Sequence, residues 1–377
     1  MLPQVFYGSL VRRLAFRTAI APIASALPLW HKSFLHVEMR TTRSDDSACQ
    51  NDNGKSQAAL AMKRHPQVLH IGFSKCASTY LRALFRAHPK IHLVFKSGFF
   101  TPFLAKEMTF ADYQAFFCNE VAKINIESDE HLTLPGIHPE LGVRTTNLAE
   151  FARVADRIRR FLPEVKIIVI IRNQASLIVS RYSEFLITGG SLSFEAFASK
   201  LMGEDGRENI FYQNYYSEII KILEERFPRS NLLILLQEAM REDTRRTAIT
   251  ISQFIGLGDI LTLTRGLRAE RRSLSLAGMQ LLRWLNKYLI RRPSMGGAPP
   301  ISRVPMFVFR NVVRLVRGID YFGLGRVSRG AASVLEAEHR KGILAHFHDD
   351  NLRLQDYFAR ELRSLGYFSA ESMSHHT

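Results

Sequence analysis

The sequence predicts an α/β fold, a three-layer sandwich with a central parallel sheet. Short apolar runs of strand length alternate with longer amphipathic stretches across residues 66–257. One run, 167–171, holds five consecutive β-branched residues, the pattern of a strand buried on both faces. The stretch 66–89, PQVLHIGFSKCASTYLRALFRAHP, adds a strand (68–73), a small polar loop (Ser74-Lys75-Cys76-Ala77) and a helix opening near Ser78 and Thr79.

The remaining elements follow in order. The first helix places Leu81, Leu84 and Phe85 at helical spacing. Residues 90–95 (KIHLVF) form a second strand, which ends in Lys96-Ser97-Gly98-Phe99-Phe100. A helix is expected over 109–119, with Phe110, Tyr113 and Phe117 on one face. Residues 121–128 alternate like a strand and lead into Asp129-Glu130-His131. A Pro/Gly-rich loop covers 134–142. Asn147 then opens a helix with Glu150 as its capping-box partner. The strand 166–171 delivers Arg172, and a helix from about Ala175 to Thr188 stops at Gly189-Gly190. Residues 211–227 form a helix ended by Pro228, 231–236 (NLLILL) a buried strand, and 244–255 a short helix ending at Gly256. Parallel sheets bind ligands at the carboxyl ends of their strands, so the loops after Phe73 and Ile171 share that edge.

Composition bounds the rest. With 377 residues, 46% hydrophobic, the chain can bury a large core. Lys plus Arg number 51 against 35 acids, a net charge of +16, which points to acidic partners. The three cysteines, Cys49, Cys76 and Cys118, make no disulfide framework and fit a reducing, cytoplasmic setting. No apolar run reaches 18 residues, so no membrane-spanning segment is expected. Residues 1–64 read as an N-terminal extension ahead of one domain, 65–377. Its first 44 residues hold six Lys/Arg and one acid, suiting an amphipathic anchor or import-type presequence, or else an extension without function; 45–62 is linker-like. The part from about 265 to 377 is basic and helical, with 16 Lys/Arg and four acids in 265–341. There Arg303, Arg310, Arg314 and Arg317 are spaced as one helical stripe, opposite Val308, Val312, Val313, Leu315 and Val316. Such a helix suits a peripheral contact with a membrane surface or an anionic polymer, or is an ordinary packed helix with a solvated face. Residues 343–367 resume helical periodicity and close the domain.

Two constellations carry chemistry. A strand–loop–helix aims backbone N–H groups and the helix dipole at its loop. With Lys75, Ser78 and Thr79 it makes a cradle for phosphate or sulfate. A triphosphate loop would read GxxxxGK[ST]. Here Lys75 comes early and no second glycine precedes Ser78, so a single 5′ phosphate group fits better. The second constellation is IIRNQASLIVSRY. Arg172 ends the central strand, and Ser180 lies eight residues on, about two helical turns away. Arg and Ser are a sensible pair for a second phosphate, or else an arginine on the sheet rim beside a solvated serine.

Together, GFSKCASTYL and RNQASLIVSRY resemble the two cofactor motifs of the sulfotransferases that use 3′-phosphoadenosine 5′-phosphosulfate (PAPS). The segment RFPRSNLLILLQEAMREDTRRTAITISQFIGL is similar to that family's third strand and following helix, including an acidic residue, here Glu238. The resemblance spans residues 66–257, with a weaker likeness at 343–367. It implies a P-loop-like nucleotide-binding fold and in-line transfer of a sulfuryl group to a hydroxyl or amine, with PAPS as co-substrate and no metal. Ser74, Lys75, Cys76, Ala77, Ser78, Thr79 and Tyr80 would hold the 5′-phosphate, with Lys75 also catalytic. Arg172 and Ser180 would hold the 3′-phosphate, and Arg271, Arg272 and Ser273 would meet the adenine side. The carbohydrate-modifying branch often carries a Glu base beside a Lys and before two Phe; here Ser97 stands in that place. Glu130 is then the first choice for the base, with His92 and His131 behind it. The acceptor implied is a glycan or glycolipid.

Two other classes compete. A small-molecule kinase would need a triphosphate loop and a magnesium-holding Asp after a strand, and the strand 166–171 ends in Arg. A non-enzymatic basic module would bind a membrane or polyanion through 265–341. Its residues lack the interleaved aromatics of a nucleic-acid surface, so nucleic acid is not expected.

Overall fold

Five short apolar strands, Ile91–Phe95, Ile124–Asp129, Val68–Ile71, Lys166–Ile171 and Leu232–Leu236 in that order across it, build one parallel sheet. The structure is a computed structural model that describes residues 65–95, 109–111, 124–129, 132–133, 136–138, 143–145, 148–202, 214–258, 274–292, 300–321 and 331–368. The chain divides into two units, Met1–Asn53 and Gly54–Thr377, and all described residues belong to the second.

The sheet strands are β1 (Val68–Ile71), β2 (Ile91–Phe95), β3 (Ile124–Asp129), β6 (Lys166–Ile171) and β7 (Leu232–Leu236). β1 pairs with β3 and β6, β2 with β3, and β6 with β7, all parallel. The α/β reading holds. Parallel strands need crossovers, and among the described residues helices supply them between β1 and β2, β3 and β6, and β6 and β7. They are α1 (Ser78–Arg86), α2 (Leu148–Phe161), α3 (Gln174–Ile187), α4 (Phe194–Met202) and α5 (Tyr216–Glu224), followed after β7 by α6 (Gln237–Glu242) and α7 (Thr244–Ile255). From β1 the chain runs to one side of the sheet, and from β3 it crosses to β6 on the other. The switch point therefore lies between the carboxyl ends of β1 and β6.

β6 is the core. Ile167, Ile168, Val169, Ile170 and Ile171 are buried on both faces. At ~2 kcal/mol for each large aliphatic side chain, this strand contributes on the order of 10 kcal/mol against the entropy of ordering it. A first apolar cluster joins the sheet to α1, α2, α5 and α7. A second is helical and runs from α3 and α4 into α8 (Leu276–Leu289), α9 (Met306–Ile319) and α10 (Ala331–His346). α3 serves both. Leu177 belongs to the sheet cluster, while Ile178, Tyr182 and Phe185 belong to the helical one. That explains why α3 is buried on most of its circumference. Gly189 ends the turn after α3 at φ 101, a backbone region that favours glycine. α11 (His348–Ser364) returns to the sheet cluster through Leu354 and Leu362.

Several expectations need correction. The loop expected at 134–142 contains a strand, β4 (Gly136–His138), which pairs antiparallel with β5 (Val143–Thr145). Three-residue strands leave too little periodicity to see. α4 and α6 are short helices that the sequence reading passed over. Within the basic part, β8 (Ile290–Arg292) pairs with β9 (Ile301–Ser302). Arg303 precedes α9 rather than riding on it, and Leu315 faces solvent at 62% exposure instead of lying opposite the arginines. Pro305 fixes the start of α9, which sets the phase of its faces. Most of the helix expected over 109–119 lies outside the described residues. Among the described residues, no helix is long and apolar enough to cross a membrane.

Candidate active site

The loop after β1 is bound tightly at its root. His70 is fully buried on β1, with Nδ1 2.8 Å from Ser128 Oγ of β3. Burial, with the Arg82 guanidinium adding to it, pushes its pKa down to about 3, so the ring is neutral. Gly72 lies over this ring, and a Cβ there would stand 2.7 Å from His70 Nε2, so a larger residue would have to displace the buried ring. Thr133 Oγ1 donates to the Gly72 carbonyl at 3.0 Å. Phe73 leaves the sheet and packs its ring on Tyr216, centroids 5.0 Å apart.

The tip of the loop is strained. Lys75 has φ 72 and Ala77 φ 55, both left-handed without being glycine. Such residues cost roughly 1–3 kcal/mol each and persist where the surroundings hold them. Cys76 N–H donates to the Phe73 carbonyl at 3.2 Å and closes a turn between them. Ala77 then starts α1, and its methyl group has no oxygen with which to cap the helix. The first turn of α1 carries no acid. Backbone donors and a positive dipole end therefore meet at this loop, the arrangement that attracts anions. Ser78 is nearly buried, Thr79 is exposed and accepts from Arg82 Nη2 at 3.4 Å, and Ser74 and Tyr80 are half-buried.

The end of β6 braces this loop. Arg172 Nη1 donates to the Lys75 carbonyl at 3.2 Å. In the amide orientation that pairs donors with acceptors, Gln237 Nε2 donates to the same carbonyl at 3.1 Å, while its Oε1 accepts from Arg241 Nη2 at 3.0 Å. The Arg172 carbonyl accepts from Tyr216 OH at 2.7 Å. Arg172 Nε is buried without a hydrogen-bond partner among the described residues. Next in the chain, Asn173 caps α3, its Oδ1 accepting from Ala175 N at 3.1 Å and Ser176 N at 3.3 Å. Its own N–H donates to Glu238 Oε1 at 3.0 Å, and Tyr367 OH donates to Glu238 Oε2 at 3.0 Å. One carboxylate thus ties the end of β6, the start of α6 and the C-terminal segment together.

On α3, Ser180 is 5% exposed. The neighbouring Arg181 is buried and donates to Asn214 Oδ1 at 2.6 Å. One turn beyond Ser180, Glu184 Oε2 lies 3.6 Å from Lys75 Nζ, with both side chains partly exposed.

The structure therefore brings the loop 74–80 and Arg172 to one sheet edge, at the switch point between β1 and β6. Ser180 sits on the helix that leaves this edge. His92 is half-buried on β2. Glu130, His131, Lys96, Ser97, Arg271, Arg272 and Ser273 lie outside the described residues. Sequence reasoning missed Asn173, Glu184, Tyr216 and Gln237. Asn173 was detectable, because an Asn just before an apolar-periodic run is a cap signal. Glu184 follows Ser180 by one turn and so shares its face. Tyr216 and Gln237 carry no local signal; only tertiary packing brings them to the loop. Chemically, the arrangement offers an ammonium, a guanidinium and a helix N-terminus around one edge, enough to hold two separated anionic groups.

A family model described as a sulfotransferase domain matches residues 65–289. Solved structures similar to the chain include a sulfotransferase from Alicyclobacillus acidocaldarius, at 16% identity and TM-score 0.41, covering 54% of this chain and 87% of that one. A mouse sulfotransferase complexed with PAP is similar at 14% identity and TM-score 0.34, covering 54% of this chain and 64% of that one. A sulfotransferase domain from a Synechococcus olefin synthase is similar at 12% identity and TM-score 0.33, covering 67% and 94%. No curated protein sequence matches the chain.

Proposed function

The chain belongs to the sulfotransferase-domain family, and from that premise we propose that it moves a sulfuryl group from PAPS to a hydroxyl or amine of a carbohydrate acceptor. The observation that supports this reading is the junction of Arg172 with the Lys75 loop. It brings the Arg172 guanidinium against the loop that carries Lys75, a pairing that suits a nucleotide with separate 3′ and 5′ phosphate groups. The buried Arg172 Nε, without a hydrogen-bond partner among the described residues, and the uncapped start of α1 leave donors for such oxygens.

PAPS supplies a sulfuryl group attached to a phosphate leaving group. The loop 74–80 holds the 5′-phosphate, through its backbone N–H groups with Ser78 and Thr79. Arg172 and Ser180 hold the 3′-phosphate, and Arg271, Arg272 and Ser273 meet the adenine side. The acceptor oxygen attacks sulfur in line, and the bond from sulfur to the bridging oxygen breaks. Lys75 stabilises the charge that develops on that oxygen. Glu130 takes the acceptor proton. Residues 1–64 are an extension outside this machinery, and 65–377 carry it.

Retention on immobilised adenosine 3′,5′-bisphosphate without magnesium tests the nucleotide. Binding of magnesium–ATP in preference to the bisphosphate would point to a kinase instead. Labelled PAPS offered with pools of sugars, glycolipids, phenols and alcohols then tests the acceptor. Label moving only into phenols or alcohols would overturn the carbohydrate assignment while leaving sulfuryl transfer intact.

A further inference from the structure

We infer that the face built by α8, the β8–β9 hairpin and α9 docks on an anionic lipid bilayer. Among the described residues, all seven large apolar side chains exposed to solvent lie between Trp284 and Tyr321. The same stretch, 284–321, contains seven Lys/Arg and one acid. That acid, Asp320, is buried and accepts from Ser275 N at 2.9 Å, so it does not stand among the surface cations.

The phase of the helices puts both chemistries outward. On α9, Phe309, Val313 and Val316 are buried. At 3.6 residues per turn the opposite arc holds Phe307, Arg314 and Leu315, with Arg310 at its border. Phe307 is 66% exposed and Leu315 62%. On α8, Gly278, Met279, Leu282 and Asn286 are buried. Trp284 and Tyr288 lie one turn apart on the outer side, their rings 5.1 Å between centroids, with exposed Lys287 between them in sequence. Ile301 of β9 is half exposed.

The occupant follows from this mixture. A water-soluble polyanion rewards the cations but leaves Phe307 and Leu315 as wet as before. A second copy of the chain would cover the apolar groups but set one row of cations against another. A bilayer with acidic headgroups accepts both, because tryptophan, tyrosine and aliphatic tips enter the interface while Lys and Arg meet phosphates. Nothing in this inference depends on the sulfuryl-transfer reading.

The test uses the full chain and sedimentation with vesicles. Phosphatidylcholine vesicles containing phosphatidylserine should carry the protein down, and pure phosphatidylcholine vesicles should do so much less. Replacing Arg310, Arg314 and Arg317 together by Gln should weaken partitioning on the order of a hundredfold, from about fivefold per cation near an anionic surface. Phe307→Ala with Leu315→Ala should weaken it as well, and that loss should persist at high salt. All variants should keep wild-type circular dichroism and thermal unfolding midpoints. The chain has two tryptophans, so Trp30→Phe leaves Trp284 as sole reporter, and brominated lipids should quench it. Sedimentation that both variants leave unchanged would assign membrane binding elsewhere, residues 1–44 included, and overturn the inference. So would an unquenched Trp284, binding to heparin without vesicle binding, or a dimer that the Phe307→Ala substitution dissolves.

Discussion

Arg172 donates from Nη1 to the backbone carbonyl of Lys75 across 3.2 Å, so the end of β6 holds the loop that follows β1. The two motifs therefore form one mechanical unit, although 97 residues separate their anchors. Arg172→Ala should weaken binding of adenosine 3′,5′-bisphosphate by roughly 10- to 100-fold, as losing hydrogen bonds to a charged group costs about 1.5–3 kcal/mol. Arg172→Lys should recover little, because an ammonium cannot brace the carbonyl and hold an anion with one fork. Titration calorimetry reads both, and an unchanged affinity in either variant would remove Arg172 from the nucleotide site.

Lys75→Ala should lower kcat by roughly 100- to 1,000-fold, the usual cost of losing one preorganised charge at a developing anion. Fold stability should hardly change. The ion pair that Lys75 makes with Glu184 is partly exposed at 3.6 Å, and such pairs contribute about 0–1 kcal/mol. Transfer from labelled PAPS at the wild-type rate would refute the role given to Lys75.

Glu238 links Asn173 to Tyr367, so its effect should appear in stability first. Glu238→Ala leaves the buried Asn173 N–H and the Tyr367 hydroxyl without their partner. A cost of about 2–3 kcal/mol follows, seen as a lower denaturant midpoint. Tyr367→Phe removes one of the two bonds and should cost about 1 kcal/mol. Equal midpoints for Glu238→Ala and wild type would show that water replaces the carboxylate freely.

The acidic side of the stability profile should carry the mark of His70. Its folded pKa lies at about 3, below the ordinary value of 6.5. Between these values the unfolded chain binds a proton that the folded chain does not. Stability from this group is full above pH 6.5 and is lost as pH falls toward 3, at up to about 1.4 kcal/mol per pH unit. His70→Gln lacks that titration, so its stability should fall less steeply with acid than the wild type does. Parallel profiles for the two proteins would mean that His70 is not the buried neutral group described.

How far the sequence reveals this depends on the range of each interaction. The parallel sheet was legible because β6 announces itself in five successive β-branched residues. The Lys75 loop was legible because its strand, loop and helix are contiguous. The braces were not. Tyr216 reaches the Arg172 carbonyl from 44 residues away, and Tyr367 reaches Glu238 from 129. No local pattern encodes such pairs. The outward face of α9 failed for a different reason. Its phase depends on where the helix starts, and Pro305 set that start beyond Arg303.

The general base separates two carboxylates. Glu184 is the acid that the described residues place beside Lys75, at 3.6 Å. Glu130 follows directly on β3, which pairs with β1 and so ends at the same sheet edge. The Glu184 carboxylate is already engaged with the Lys75 ammonium rather than left open to an acceptor hydroxyl. Glu130→Gln should therefore lower kcat by roughly 100- to 10,000-fold and remove the acid limb of the pH–rate profile. Glu184→Gln should keep that limb and change kcat only slightly, because it frees Lys75 rather than removing a base. The opposite pattern would move the base to Glu184, and full activity in both variants would move it to His92 or His131.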